Sequence, residues 1–142
     1  MHLDRDEALR RAMASDHAVL ATLNRTGVAD LVPVCFAIVG DALAIPVDTV
    51  KPKRSTALGR IRNLERDPRA TLLVEHWDGE DWDRLWWVRL GLRRVPADGR
   101  GATPDPRALV EALRSRYRQY RETAFVDVLV FQIDAVTGWS AV

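Results

Sequence analysis

One cysteine, Cys35, stands among 142 residues, so no intramolecular disulfide can form. A secreted domain of this size often carries paired cysteines, and the expected compartment is therefore the cytoplasm. No apolar run approaches the ~20 residues that span a bilayer. The N-terminal stretch MHLDRDEALRRAMASDHAVL is too charged for the apolar centre of a signal peptide, and no membrane association is expected. Charge of one sign is not in surplus: 21 Lys and Arg face 20 Asp and Glu, for a net charge of +1. A dedicated nucleic-acid binder usually carries a large basic excess, so nucleic acid is not an expected partner. Neither GxGxxG nor GxxxxGK[ST] is present, which removes the two commonest nucleotide signatures. No Ser-His-Asp arrangement is readable. His76, among Glu75, Asp78, Glu80, Asp81 and Asp83, matches no metal-ligand spacing, so a surface loop is expected there and no metal.

Hydrophobic residues make up 47% of the chain and charged residues 29%, an ordinary globular composition for a single domain over residues 1–142. Asp4, with Glu7 three residues on, has the capping-box spacing, and Ala8, Leu9, Ala12 and Met13 follow at helical intervals. HAVLATLNRTG reads as a strand closed by a glycine turn. ADLVPVCFAIVGDALAIPVD reads as two strands joined by Gly40-Asp41, with Pro33 marking the first as an edge, a bulge or a strand open towards a ligand because proline cannot donate to a ladder. A helix is expected over about 54–66, stopped by Asp67-Pro68. Two more strands, RATLLVEHW and RLWWVRLGLRRV, flank the acidic loop DGEDWD. PADGRGATPDP is a loop, PRALVEALRSRYRQY a helix with Pro106 in its first turn, and VDVLVFQIDAVTGWSAV a final strand expected to bend near Gly138. The order is helix, three strands, helix, two strands, helix, strand. So many sequential strands with few helices predict an antiparallel barrel, mostly β with peripheral helices, and exclude a doubly wound parallel sheet.

Charge balance across the chain hides a local asymmetry. Between residues 51 and 66 stand six basic residues (51, 53, 54, 60, 62, 66) against one acidic residue, Glu65. The cluster sits at an expected helix start, where unpaired backbone N–H groups and the macrodipole favour an anion. Ser55 and Thr56 add hydroxyls. Thr56, Arg60 and Asn63 fall at i, i+4 and i+7, one stripe able to grip a phosphate together with the preceding loop. Five tryptophans, Trp77, Trp82, Trp86, Trp87 and Trp139, form the second feature. Trp86 and Trp87 point to opposite faces of one strand whose neighbours Leu85, Val88 and Leu90 make both faces apolar. A small domain can hardly cover both faces alone, so a homodimer is expected. With no acid–base machinery evident, any reactivity is expected to belong to a bound cofactor, and no catalytic side chain is assigned.

The strings VPVCFAIVGDALAIPVDTVKPKR, RIRNLERDPRATLLVEHWD and WDRLWWVRLGLRRV closely resemble the pyridoxamine-phosphate-oxidase-like split-barrel superfamily. Within it the chain is most similar to the deazaflavin (coenzyme F-420) dependent oxidoreductases of actinobacteria. The resemblance runs from about residue 4 to 140 and is most specific at Lys51-Pro52-Lys53-Arg54, at Arg60 to Leu64 with Asp67-Pro68, and at Trp86-Trp87-Val88-Arg89. It implies a six-stranded antiparallel split barrel and a homodimer with two cofactor sites at the subunit interface. By the same resemblance, Val32, Pro33 and Val34 lie along the tricyclic ring. Lys51, Lys53, Arg54, Ser55, Thr56 and Arg60 hold the phosphate and acidic tail, and Trp87 and Arg89 approach from the partner subunit. Relatives often carry lysine where Arg60 stands, and a basic or polar residue near Thr49-Val50; arginine keeps the charge but alters the geometry. The oxidase's C-terminal substrate residues have no counterpart in VTGWSAV, so the resemblance does not extend to vitamin B6 oxidation.

The activity expected from this likeness is hydride transfer from a reduced deazaflavin to an unsaturated or quinone-like small molecule. A deazaflavin's acidic tail suits the concentrated basic charge better than FMN alone requires. Three alternatives stay open: an FMN-dependent oxidoreductase on the same fold, a protein that binds the cofactor without turnover, and a haem-handling split barrel.

Overall fold

A computed structural model of the chain describes residues 1–47, 56–96, 105–122 and 127–142. Helix α1 (Arg5–Ala14) starts where Asp4 accepts a hydrogen bond from the Glu7 N–H at 2.8 Å. Only that half of the capping box forms. The Glu7 carboxylate turns instead to Arg10 and Arg11, one turn further on. Strands β1 (Ala18–Leu23), β2 (Ala29–Val34), β3 (Ala37–Val39) and β4 (Ala42–Val47) follow, then helix α2 (Thr56–Arg66), strands β5 (Arg69–His76) and β6 (Trp86–Arg94), helices α3 (Pro106–Arg116) and α4 (Gln119–Glu122), and strand β7 (Asp127–Ser140).

All strand pairs are antiparallel, in the order β2-β1-β5-β6-β7-β4-β3. The expected class is therefore present, with one correction: the described residues form seven strands, not six. The segment expected as one strand through Cys35 is broken into β2 and β3. These two consecutive strands are the opposite edges of the sheet, yet only Cys35 and Phe36 join them. So short a link spans roughly 10 Å, and the sheet must curl until its edges nearly meet. This makes the split in the barrel. The sequence carries no turn signal at the break because the break is held from afar. The Tyr117 hydroxyl accepts from the Phe36 N–H at 3.0 Å and lies 3.1 Å from the Phe36 carbonyl. Pro33 sits on the edge strand β2, as its missing N–H requires, and Gly40 takes φ +60° in the β3–β4 turn.

Alternate residues of the strands fill the barrel. Leu20, Phe36, Leu43, Leu72, Leu90 and Phe131 are fully enclosed, closed over by Ala8 and Ala12 of α1 and Leu64 of α2. A second cluster lies outside the sheet, where Leu109 and Leu113 of α3 cover Ala37, Ala42 and Ala44 of β3 and β4. The final strand pairs in regular register through Gly138. Its register shifts at Asp134, opposite Gly91 and Leu92. Gly138 has a different role: a Cβ there would meet Ala8 and Leu3 side chains at 3.1 Å, so its absence lets α1 sit close on β7. Among the described residues, no helix is long and apolar enough to cross a membrane.

Candidate functional site

The basic stripe divides in space. Lys51, Lys53, Arg54 and Ser55 lie outside the described residues, and Thr56 enters as the first residue of α2. Arg60, in the first half of that helix, is half-buried. Its buried Nε has no hydrogen-bond partner among the described residues, and desolvation pushes the guanidinium below its ordinary pKa. A buried donor without an acceptor is costly, which makes Arg60 a candidate contact for an anion. Asn63, one turn later, is 5% exposed and already committed. Its amide donates to Thr22 Oγ1 of β1 at 3.0 Å and to Asp30 Oδ2 of β2 at 2.9 Å. It fastens α2 to the β1–β2 hairpin and so fixes where Arg60 stands.

Val32 and Val34 point into the barrel, where Val34 is buried and Val32 packs on the core, while Pro33 faces outward and is exposed. Of the three expected ring contacts, then, only Pro33 and the strand's open backbone edge meet the outside. Trp87 and Arg89 lie on the outward face of β6, with the Arg89 guanidinium 5.3 Å from the Trp87 ring centroid. Register puts Pro33, Val19, Leu73 and Arg89 in one row across β2, β1, β5 and β6. Pro33 and Arg89 are thus the ends of a single row, three inter-strand spacings or roughly 14 Å apart. Within one chain they do not converge.

This outward face holds Leu31 at 69% exposure and Leu73 at 39%, beside half-buried Val19, Ala21 and Trp87. None of these belongs to either core cluster. Next to it, a cleft of about 410 Å3 is walled by Leu73, Trp77, Leu85, Trp86, Trp87 and Arg89. The acidic hairpin tip beyond it is a hydrogen-bonded turn, in which Asp78 accepts from the Glu80 and Asp81 N–H groups. Among the described residues no group of His, Cys, Asp and Glu could hold a metal ion.

Sequence reasoning missed a third feature, a cleft of about 480 Å3 lined by Asp16, His17, Cys35, Tyr117, Gln119 and Tyr120. Its residues come from three separate parts of the chain. The only local signal was the pair of positions just outside the β1–β2 ladder, whose last pair is Ala18 with Val34.

No family model matches the chain, and no curated protein matches it. Solved structures do. An FAD-binding protein from Mesorhizobium loti is 16% identical with a TM-score of 0.63, covering 97% of this chain and 93% of that one. An FMN-binding protein from Syntrophomonas wolfei is 14% identical with a TM-score of 0.63, covering 95% and 88%. The haem storage protein HutZ from Vibrio cholerae is 12% identical with a TM-score of 0.60, covering 93% and 92%. At these identities the likeness shows a shared fold, the split barrel, and nothing finer.

Proposed function

We propose that this chain binds a flavin-type, phosphate-bearing cofactor between two copies of itself, a deazaflavin in preference to FMN. With that cofactor it acts as an oxidoreductase on an unsaturated or quinone-like small molecule. The observation that carries the reading is the orphaned, buried Nε of Arg60, a planar donor suited to a phosphate. It stands on the helix that follows Lys51, Lys53 and Arg54. The same basic concentration exceeds what one phosphate requires and favours a cofactor with a longer acidic tail.

The residues fit such a group. Arg60 would hold the phosphate, with Asn63 fixing the helix that carries it. Pro33 and the open edge of β2 would lie beside the ring. Trp87 and Arg89 are too far from Pro33 within one chain, so they serve the site of a second copy. The uncovered apolar row between them is the surface on which two copies would pack. When bound, the cofactor supplies the hydride chemistry; the chain orients it and excludes water.

Equilibrium titration of the purified protein with the deazaflavin and with FMN, followed by fluorescence, tests this reading. Tighter deazaflavin binding supports it. Tighter FMN binding keeps the fold and assigns the flavin alternative. Binding without reoxidation by any acceptor in a broad panel assigns storage rather than turnover, and binding of neither ends the proposal.

A further inference from the structure

We infer that the cleft between the entry to β1 and helix α4 is the acceptor site, taking a planar, quinone-type carbonyl compound to which His17 gives the proton. The inference rests on the proposed function for its hydride and adds a place, a ligand shape and a proton source. Register supplies the place. His17 and Cys35 are the next residues outward from the Ala18–Val34 pair, and both line the cleft. Cys35 lies two residues beyond Pro33, so the cleft opens directly beside the strand edge assigned to the cofactor ring.

Its walls suit a flat ring. Tyr117 and Tyr120 meet edge to face, with centroids 5.7 Å apart. Tyr117 is pinned: its hydroxyl accepts from the Phe36 N–H and lies 2.7 Å from the Asp16 carbonyl, closer than the Phe36 carbonyl at 3.1 Å. With a single hydrogen to give, the Asp16 carbonyl is the better acceptor. One side chain thereby fixes the β1 side of the cleft against the β2–β3 break. Arg116, just before it, lies 4.6 Å over the Phe36 ring and backs this wall.

Its edge suits a carbonyl oxygen. His17 Nδ1 lies 2.6 Å from Asp16 Oδ1, and the imidazole beside Asp16 holds that carboxyl below the usual carboxylate range. A carboxylate only accepts, so the shared hydrogen belongs to Nδ1, and Nε2 is left to serve a ligand. Reduction of a quinone to a hydroquinone takes one hydride, with its electron pair, and one proton. The hydride would come from the cofactor of the proposed function, which would be oxidised in supplying it. In its doubly protonated form His17 gives the Nε2 proton to the carbonyl oxygen, keeps the Nδ1 hydrogen on Asp16, and is reprotonated by solvent.

The single cysteine makes the cleft testable without any cofactor. Iodoacetamide labelling of Cys35 in the apo-protein can be followed by intact mass, with 2,3-dimethyl-1,4-naphthoquinone as the probe because its blocked ring carbons resist thiol addition. Saturable protection is expected, with labelling about tenfold slower at ten times the dissociation constant. Tyr120→Ala should lose that protection. His17→Gln should keep it within a few-fold while turnover of the cofactor-loaded protein falls about 100-fold or more. Wild-type labelling that the quinone does not slow, or protection undiminished in Tyr120→Ala, overturns the site. Turnover retained in His17→Gln overturns the proton source. Protection in a protein that binds neither deazaflavin nor FMN would uphold the cleft and remove the cofactor reading; cofactor binding without protection would do the reverse.

Discussion

The outside of this barrel has two regions with opposite treatment. Over β3 and β4, α3 buries Leu109 and Leu113 against three alanines, and none of the large exposed apolar side chains among the described residues lies there. Over β2, β1, β5 and β6, Leu31 and Leu73 stand exposed beside Val19, Ala21 and Trp87, with no core cluster above them. The chain covers one face with its own helix, and among the described residues nothing covers the other. The bare face also carries both ends of the expected cofactor site, Pro33 and Arg89. Under the proposed function this apolar surface is where a second copy and the ligand would sit.

The sharpest contrast should come from truncation on each side. Leu113→Ala on the closed face empties a fully buried position and should cost about 2–5 kcal/mol in chemical denaturation. Asn63→Ala, at the joint between α2 and the β1–β2 hairpin, leaves Thr22 and Asp30 without their shared donor and should cost about 1–3 kcal/mol. Leu73→Asp on the bare face should leave monomer stability within about 0.5 kcal/mol. Its effect should appear in sedimentation velocity, as loss of the dimer, and a dimer that survives it would break the comparison.

The smallest effect belongs to α1. The Glu7 carboxyl is held down to about 2 by its hydrogen bonds to Arg10 and Arg11, against an ordinary value of 4.5. A depressed pKa contributes stability above the unfolded value and loses it as pH falls toward the folded one. Acid unfolding should therefore steepen between about 4.5 and 2, and Glu7→Gln should flatten that limb. Because these ion pairs lie at the protein surface, the change should be slight and should fade in salt.

Much of this was legible in the sequence where a local rule decides the outcome. Pro33 declared an edge strand, Gly40-Asp41 a hairpin, and Asp4 a helix start. What was not legible depends on distant partners. Nothing near Cys35 announces the break between β2 and β3, because the group that takes up the Phe36 backbone is Tyr117, 81 residues away. The shift at Asp134 is set by closure of β7 over Gly91. Helical spacing placed Thr56, Arg60 and Asn63 on one stripe, but periodicity gives direction and not depth. Asn63 proved to be a buried fastener, and Arg60 is the donor left without a partner. The His17–Cys35 cleft was invisible because its walls meet only in the folded chain.

The account stands or falls on Arg60. Titrating wild type and Arg60→Ala with the deazaflavin, at fixed ionic strength, measures whether the Arg60 guanidinium grips the cofactor. Saturable binding near the micromolar range that weakens at least about tenfold in the variant, a loss of about 1.4 kcal/mol, is the predicted result. Equal affinity in the two proteins, or no binding to either, would contradict it.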